Sequence, residues 1–152
     1  MTRREVREET FKMLFMQDFC EADEMSEMVA NFIAVNDVLG RKEEGKDERC
    51  EPDPDFSFVR WADEDKSYVE KKVADLCAHT KELDAAIDEA VEGWTTLRMS
   101  KVDLTLLRLA LYEMRMEGLD PGIAINEAVE LAKVYGEERS PSFVNGILGK
   151  LA

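Results

Sequence analysis

One segment, residues 100–116, reads SKVDLTLLRLALYEMRM. Between Val102 and Met116 its apolar side chains repeat at helical spacing and fall on nearly every side of the helix, a pattern typical of a helix that other helices surround. Ser100 followed by Asp103 resembles a capping box in which Asp replaces the usual Glu. The segment is therefore predicted to be the central buried helix of an all-α bundle.

Helical spacing continues on both sides of this segment, and no strand period persists for more than a few residues. Six further helices are predicted, which begin at Thr2 as N-cap, near Met25, near Asp63, after His79, at Asp120-Pro121 and at Ser140-Pro141 with Ser140 as N-cap. The first should run to about Cys20 and the second to about Gly40, and the third should bury Tyr68. Residues 40–57 have two prolines and no apolar period, so we expect a loop there.

Length and composition indicate one ordered domain over residues 1–152. The chain is 45% hydrophobic and 36% charged, which suffices for a core and differs from a disordered chain. No apolar run approaches the roughly 20 residues that cross a bilayer, and the N-terminus has no apolar signal region. Three widely spaced cysteines do not suggest a disulfide framework. We expect a soluble protein of a reducing compartment, the cytoplasm.

The charge distribution leaves nucleic-acid binding open. Lys and Arg number 20 against 34 Asp and Glu, a net charge of −14 that ordinarily argues against phosphate binding. However, residues 20–70 contain 6 basic and 16 acidic side chains, so most of the excess acid lies in this middle stretch. Both ends of the chain are nearly neutral, and a local basic site is still possible there.

Motifs for catalysis or metal binding are not found in the sequence. His79 is the single histidine, so neither a di-iron bundle nor a four-ligand zinc site can be assembled. Cys77, two residues before it, is better interpreted as a free buried thiol. The sequence also lacks a glycine-rich phosphate loop and a nucleophile elbow. We expect no enzyme, no metal and no cofactor.

Three blocks in the last third of the chain carry a family resemblance, and a short basic segment supports it. The blocks are LRLALYE at 107–113, AINEAVELAK at 124–133 and FVNGIL at 143–148, and the basic segment is RREVR at 3–7. In this order they resemble the NusB family of bacterial transcription antitermination factors. The resemblance implies two small three-helix subdomains plus a further helix. It also implies two partners, boxA RNA of nascent ribosomal RNA and a NusE-like small-subunit ribosomal protein, within the RNA polymerase antitermination complex.

The resemblance also implies an RNA-binding surface. Arg3, Arg4 and Arg7 lie within about one helical turn and would neutralise phosphates. Glu5 stands inside this cluster and Glu8 and Glu9 follow it directly, and the alternative is an ordinary solvated helix end. Phe143 would stack on a base, with Asn145 next to it and Arg139 supplying charge. Alternatively, Phe143 is simply a core residue.

Two residues match family positions at the surface that receives the ribosomal protein, namely Phe15 and Asp103. Asp103 has a second interpretation, because it would also complete the capping box of the central helix.

Two other functions fit a NusB-like helical domain. One is the N-terminal RNA-binding domain of a ribosomal RNA cytosine methyltransferase, which needs a following Rossmann-type domain. The other is a homodimeric scaffold whose RNA-binding face is covered by the second copy. The sequence does not indicate whether the protein is a monomer or a homodimer.

Overall fold

A computed structural model describes residues 2–44, 61–91 and 98–152 of the protein, with backbone alone for 36–44. The helices in these ranges are α1 (Arg3–Phe15), α2 (Met25–Glu44), α3 (Asp63–Ala78), α4 (Thr80–Ala90), α5 (Lys101–Met116), α6 (Pro121–Tyr135) and α7 (Ser140–Leu151), with a 3₁₀ turn at Met16–Phe19. These ranges contain no strand, which confirms the all-α prediction. None of their helices is long and apolar enough to cross a membrane.

Capping side chains explain where two of the helices begin. Thr2 accepts a hydrogen bond from the backbone N–H of Glu5 at 3.1 Å, and the Glu5 carboxylate accepts one from the N–H of Thr2 at 2.8 Å. This reciprocal pair satisfies two of the N–H groups that a helix start leaves free. At α6, Asp120 accepts from the N–H of Gly122 at 2.9 Å and Pro121 occupies the first turn. Both predicted starts are therefore confirmed.

Helix α5 is the centre of the fold. It packs against α1, α3, α4, α6 and α7, and every residue from Leu104 to Glu113 is buried. Leu107 and Leu111 have no exposed surface. The buried side chains form one hydrophobic core that joins α1–α3 to α4–α7. The all-round apolar pattern thus predicted the position of this helix correctly.

Two predicted boundaries were wrong. Helix α1 ends at Phe15 rather than near Cys20, and the chain tightens into the 3₁₀ turn, where Asp18 pairs with Arg108 at 3.1 Å. Helix α2 continues past Gly40 to Glu44. Its last residues, RKEE, are good helix formers, so the missing apolar period did not require a loop. The rest of the predicted loop, 45–57, lies outside the described residues.

Two side chains differ from their predicted roles. Tyr68 is 43% exposed rather than buried, because its hydroxyl reaches out to the Glu117 carboxylate. Ser140 does not cap α7 as its N-cap. It is the first residue of that helix, and its Oγ accepts a hydrogen bond from the N–H of Glu137 at 2.9 Å, which closes the turn before α7.

Truncation of the central helix should be costly. We expect Leu107→Ala to lower the free energy of unfolding by about 2–5 kcal/mol, because a fully buried Leu leaves a cavity. The matched control is Val134→Ala, which truncates a residue that is 69% exposed. This variant should change the free energy of unfolding by less than about 0.5 kcal/mol. Urea denaturation followed by circular dichroism measures both. Similar losses for the two variants would contradict the central position of α5.

Candidate nucleic-acid interface

The three arginines of α1 differ in their surroundings. Arg3 is exposed and forms no ion pair with any described residue. Arg4 is 66% exposed and binds the Glu127 carboxylate of α6 through two nitrogens, at 3.1 and 3.2 Å. The Arg7 side chain is only 12% exposed and points into the protein. Two of the three predicted phosphate contacts therefore lie at the surface.

Arg7 belongs to a largely buried ionic cluster, which we define as Arg7, Lys72, Glu113 and Glu117 and in which Glu117 is the exposed member. The Arg7 guanidinium donates to both Glu113 oxygens at 2.9 to 3.1 Å, and Lys72 Nζ lies 3.3 Å from Glu113 Oε2 and 2.6 Å from Glu117 Oε1. The Lys72 and Glu113 side chains are 4% and 5% exposed. The predicted exposed position of Arg7 is therefore corrected, because its charge is already paired inside the protein.

The carboxylates of this cluster keep its cations charged. Burial alone would lower the pKa of Lys72, but the charge of Glu113 and the hydrogen bonds to Glu117 and Tyr68 outweigh it, and the pKa is raised. The pKa of Arg7 is raised in the same way, since Glu113 and Glu127 outweigh burial. Sequence reasoning missed Lys72. Its place among the buried residues Val69, Val73 and Leu76 of α3 was the available signal, because a charge on an apolar stripe needs a partner.

The second group of predicted RNA contacts lies at the start of α7. Arg139 and Asn145 are exposed, whereas Phe143 is partly buried and packs against the core. Phe143 thus combines features of both interpretations: it contributes to packing and keeps part of its ring accessible. Its stacking role stays a prediction.

Helix α6 separates the arginines of α1 from the predicted RNA contacts at the start of α7. Arg4 pairs with Glu127 near the start of α6, while Tyr135 at its end donates a hydrogen bond to Glu8 and lies 5.1 Å from the ring of Phe11. The two helices therefore point in the same direction. Tyr135 is eight positions after Glu127, which corresponds to a rise of about 12 Å along α6. An RNA strand that touches both groups would have to span this distance.

The edge itself is not strongly basic. Lys133 pairs with Glu130 at 3.0 Å, and both side chains are about half exposed, at 57% and 44%. Glu137 and Glu138 follow directly and are exposed. The charge of Lys133 is therefore paired and two carboxylates precede Arg139, so this edge lacks the large positive field of a typical RNA-binding surface.

The other end of α1 meets the start of α5. Asp18 of the 3₁₀ turn pairs with Arg108 at 3.1 Å and lies 3.8 Å from Lys101, the first residue of α5. Arg108 also binds both oxygens of Asp84 in α4, at 2.7 and 2.8 Å. This arrangement brings Phe15, which directly precedes the turn, to the same end of the molecule as Asp103. Sequence reasoning missed the role of Arg108, because its partners are distant in the chain.

Phe15 and Asp103 are both partly exposed at this end. The Phe15 ring lies 5.3 Å from that of Phe19, whose residue is 62% exposed. The N–H of Asp103 donates to Ser100 Oγ at 3.2 Å, so Ser100 is the predicted N-cap of α5. However, Asp103 Oδ1 is buried and has no hydrogen-bond partner among the described residues. That oxygen does not complete a capping box.

These features define an all-helical protein with two candidate interfaces, one presenting exposed arginines and the other presenting aromatic and acidic groups. In the described ranges no three His, Cys, Asp or Glu side chains are placed to hold a metal ion. The sequence model of the NusB family matches residues 4–152. The chain belongs to the NusB family.

Named relatives agree with this assignment. The transcription antitermination protein NusB of Agathobacter rectalis is 42% identical over 153 residues, which cover 100% of both chains. The protein of the same name from Lachnoclostridium phytofermentans is 39% identical, over 99% of this chain and 98% of its own. These relatives are named as antitermination factors and not for a catalytic activity.

Solved structures agree on the fold. The chain is similar to T. maritima NusB with a TM-score of 0.74 and 29% identity, over 100% of this chain and 91% of that one. A second structure, described as a plectonemic RNA supercoil, contains a chain with a TM-score of 0.69 and 24% identity, over 98% of this chain and 92% of that one. At that identity the likeness concerns the fold alone.

The ionic cluster should be essential for stability. We expect Glu113→Gln to lower the free energy of unfolding by about 3–5 kcal/mol, because it leaves Arg7 and Lys72 buried without their shared carboxylate. Glu130→Gln makes the same chemical change in the exposed pair with Lys133 and should cost no more than about 1 kcal/mol. Thermal and urea unfolding compare the two. An equal, small effect would show that Glu113 does not hold the helices together.

Proposed function

We propose that this protein is a transcription antitermination factor that binds boxA-type single-stranded RNA of nascent ribosomal RNA together with a NusE-like small-subunit ribosomal protein. It acts in the cytoplasm, within the RNA polymerase antitermination complex, and without catalysis. Membership of the NusB family supports the general role. The observation that carries the specific proposal is that α1 presents exposed arginines at its first residues and joins an aromatic and acidic surface at its last.

In this proposal, Arg3 and Arg4 contact phosphates and Phe143 stacks on a base. Arg139 and Asn145 lie beside Phe143 and contact the same RNA. Arg7 supports this surface from within, because its side chain is paired with Glu113. With a net charge of −14, the protein alone is not expected to attract RNA over long distances. Binding by the protein alone should therefore be weak.

The protein side of the proposal uses Phe15 and Asp103, to which the structure adds the exposed ring of Phe19. Asp103 is partly exposed, so its carboxylate can meet a basic side chain at this surface although its Oδ1 is buried. A basic ribosomal protein would pair with this charge, and its own positive charge would also favour RNA binding. The partner should therefore strengthen RNA binding.

Neither of the two other functions has a specific observation in its favour. The relatives named above are antitermination proteins matched over nearly their whole length, and not methyltransferases. A homodimer that covers the RNA-binding face stays a hypothesis, which light scattering at micromolar concentration can decide.

RNA-binding measurements should distinguish the contribution of phosphate contacts from that of base stacking. With the ribosomal partner present, we expect Arg3→Ala to reduce affinity for boxA RNA and to flatten the salt dependence by roughly one phosphate contact. Phe143→Ala should weaken binding by about 1–3 kcal/mol and leave the salt dependence nearly unchanged. Fluorescence anisotropy over a salt series measures both, with Lys71→Ala, an exposed cation of α3, as the control. Equal binding of a scrambled RNA would contradict the proposal.

Partner binding should depend on the charge of Asp103. We expect Asp103→Lys to weaken the complex with the ribosomal protein at least about tenfold, because it replaces the acceptor with a like charge. The variant should stay folded and lose only about 0.3–1 kcal/mol of helix stabilisation. Calorimetric titration measures affinity, with Glu89→Lys, a charge reversal at an exposed residue of α4, as the control. If Asp103→Lys and wild type bind equally, Asp103 acts only in the helix start.

A further inference from the structure

A cavity of about 450 Å³ lies beside the exposed arginines, between α1, α3 and the end of α5. Arg3 and Tyr68 are exposed at its rim, and Lys72 and Glu113 are buried in its wall. Its volume is within the range of small-molecule sites. Arg3 and Arg7 are among the predicted RNA contacts, but Tyr68 and Glu117 have no role in the interface above, so the cavity is not accounted for by it.

The lining of the cavity suits a neutral group with hydrogen-bond donors. It combines three cations, Arg3, Arg7 and Lys72, with three carboxylates, Asp65, Glu113 and Glu117, and is formally neutral. A phosphate alone would therefore gain little there. Val6, Leu119 and the ring of Tyr68 add apolar surface. A flat base with donors on its edge matches this mixture.

The Glu117 carboxylate is held in a fixed position with acceptor capacity left. Lys72 Nζ lies 2.6 Å from its Oε1, and the Tyr68 hydroxyl donates to its Oε2. Burial and the bond to Glu117 raise the pKa of Tyr68, so the hydroxyl stays protonated at neutral pH. Each carboxylate oxygen accepts about two hydrogen bonds, so each can take one more.

We propose that this cavity is a guanine-specific subsite for single-stranded RNA, in which the base lies against Tyr68 and its N1–H and N2 amino group donate to the two oxygens of Glu117. Arg3 at the rim contacts the adjoining phosphate. The subsite rests on the proposed function, because it reads one base of the same RNA. It also gives a functional reason for the unexpected exposure of Tyr68.

Guanine is favoured over the other bases because of the hydrogen-bond donors on its Watson–Crick edge. Its Watson–Crick edge presents two neighbouring N–H donors, which match the two acceptors of a carboxylate. Adenine and cytosine each place one amino donor beside an acceptor, and uracil has one donor between two acceptors. An acceptor facing a carboxylate would be left without a hydrogen bond, which is costly in a partly buried site.

Inosine substitution tests the subsite. Guanines of a boxA-containing RNA are replaced one at a time by inosine, which lacks the N2 amino group, and binding is measured by anisotropy with the ribosomal partner present. At one position inosine should weaken wild-type binding on the order of tenfold. The same replacement should have little effect on Glu117→Gln, whose amide cannot accept with both atoms. Glu70→Gln, an exposed glutamate of α3, should behave as wild type.

Tyr68 provides an independent test. Tyr68→Ala should lower affinity on the order of tenfold through lost stacking, and Tyr68→Phe should retain most of it. Circular dichroism verifies that both variants are folded. Wild-type protein gives a second readout, because RNA carrying 6-thioguanosine should photocrosslink to the tryptic peptide 67–71, which contains Tyr68.

The outcomes separate the subsite from the proposed function. If boxA RNA binds tightly with the partner but no inosine position distinguishes wild type from Glu117→Gln, the guanine subsite is wrong and the proposed function stands. Crosslinks that avoid peptide 67–71 would overturn it as well. If boxA RNA binds no better than a scrambled strand, the proposed function fails and the subsite fails with it.

Discussion

A single buried carboxylate, Glu113, determines how the first and third helices meet the centre of the protein. It lies on α5 and binds Arg7 of α1 and Lys72 of α3, so one side chain joins three helices. Because buried charges are costly without partners, these three groups stabilise the fold only together. Near the middle of α5, Arg108 makes comparable contacts to Asp84 and Asp18. Helix α1 and its following turn are thus held at both ends by α5.

This arrangement explains an unusual property of a protein assigned to an RNA-binding role. Arg7 is committed to Glu113, so in the proposed function the phosphate contacts at this end fall to Arg3 and Arg4, and Arg4 already has Glu127 beside it. On this proposal the protein contributes shape, two or three cations and stacking surface. In our account a basic partner supplies the missing attraction. The same paired cluster lines the proposed guanine subsite, where an excess of positive charge would select phosphate over base.

Local patterns in the sequence predicted much of the fold but little of the charge pairing. Thr2 and Asp120 are short polar side chains before apolar repeats, so helix starts could be predicted, and the all-round apolar pattern placed α5 at the centre. The pairing of Arg7 with Glu113 joins residues 106 positions apart, and no local pattern reports it. Arg3, Arg4 and Arg7 therefore seemed equivalent as a cationic face, whereas rotation about the helix axis turns one of them inward. Tyr68 fitted an apolar stripe, and its exposure follows from Glu117, on a different helix.

The salt dependence of boxA RNA binding, measured with and without the ribosomal partner, tests this account most directly. If Arg7 is internally paired, the protein alone neutralises two or three phosphates through Arg3, Arg4 and Arg139. The plot of log affinity against log salt should then have a slope between about −1.4 and −2.1 for a single strand. With the partner present, both the affinity and the steepness should increase. Equal slopes and equal affinities in the two conditions would contradict the account, because the partner would then contribute no charge to RNA binding.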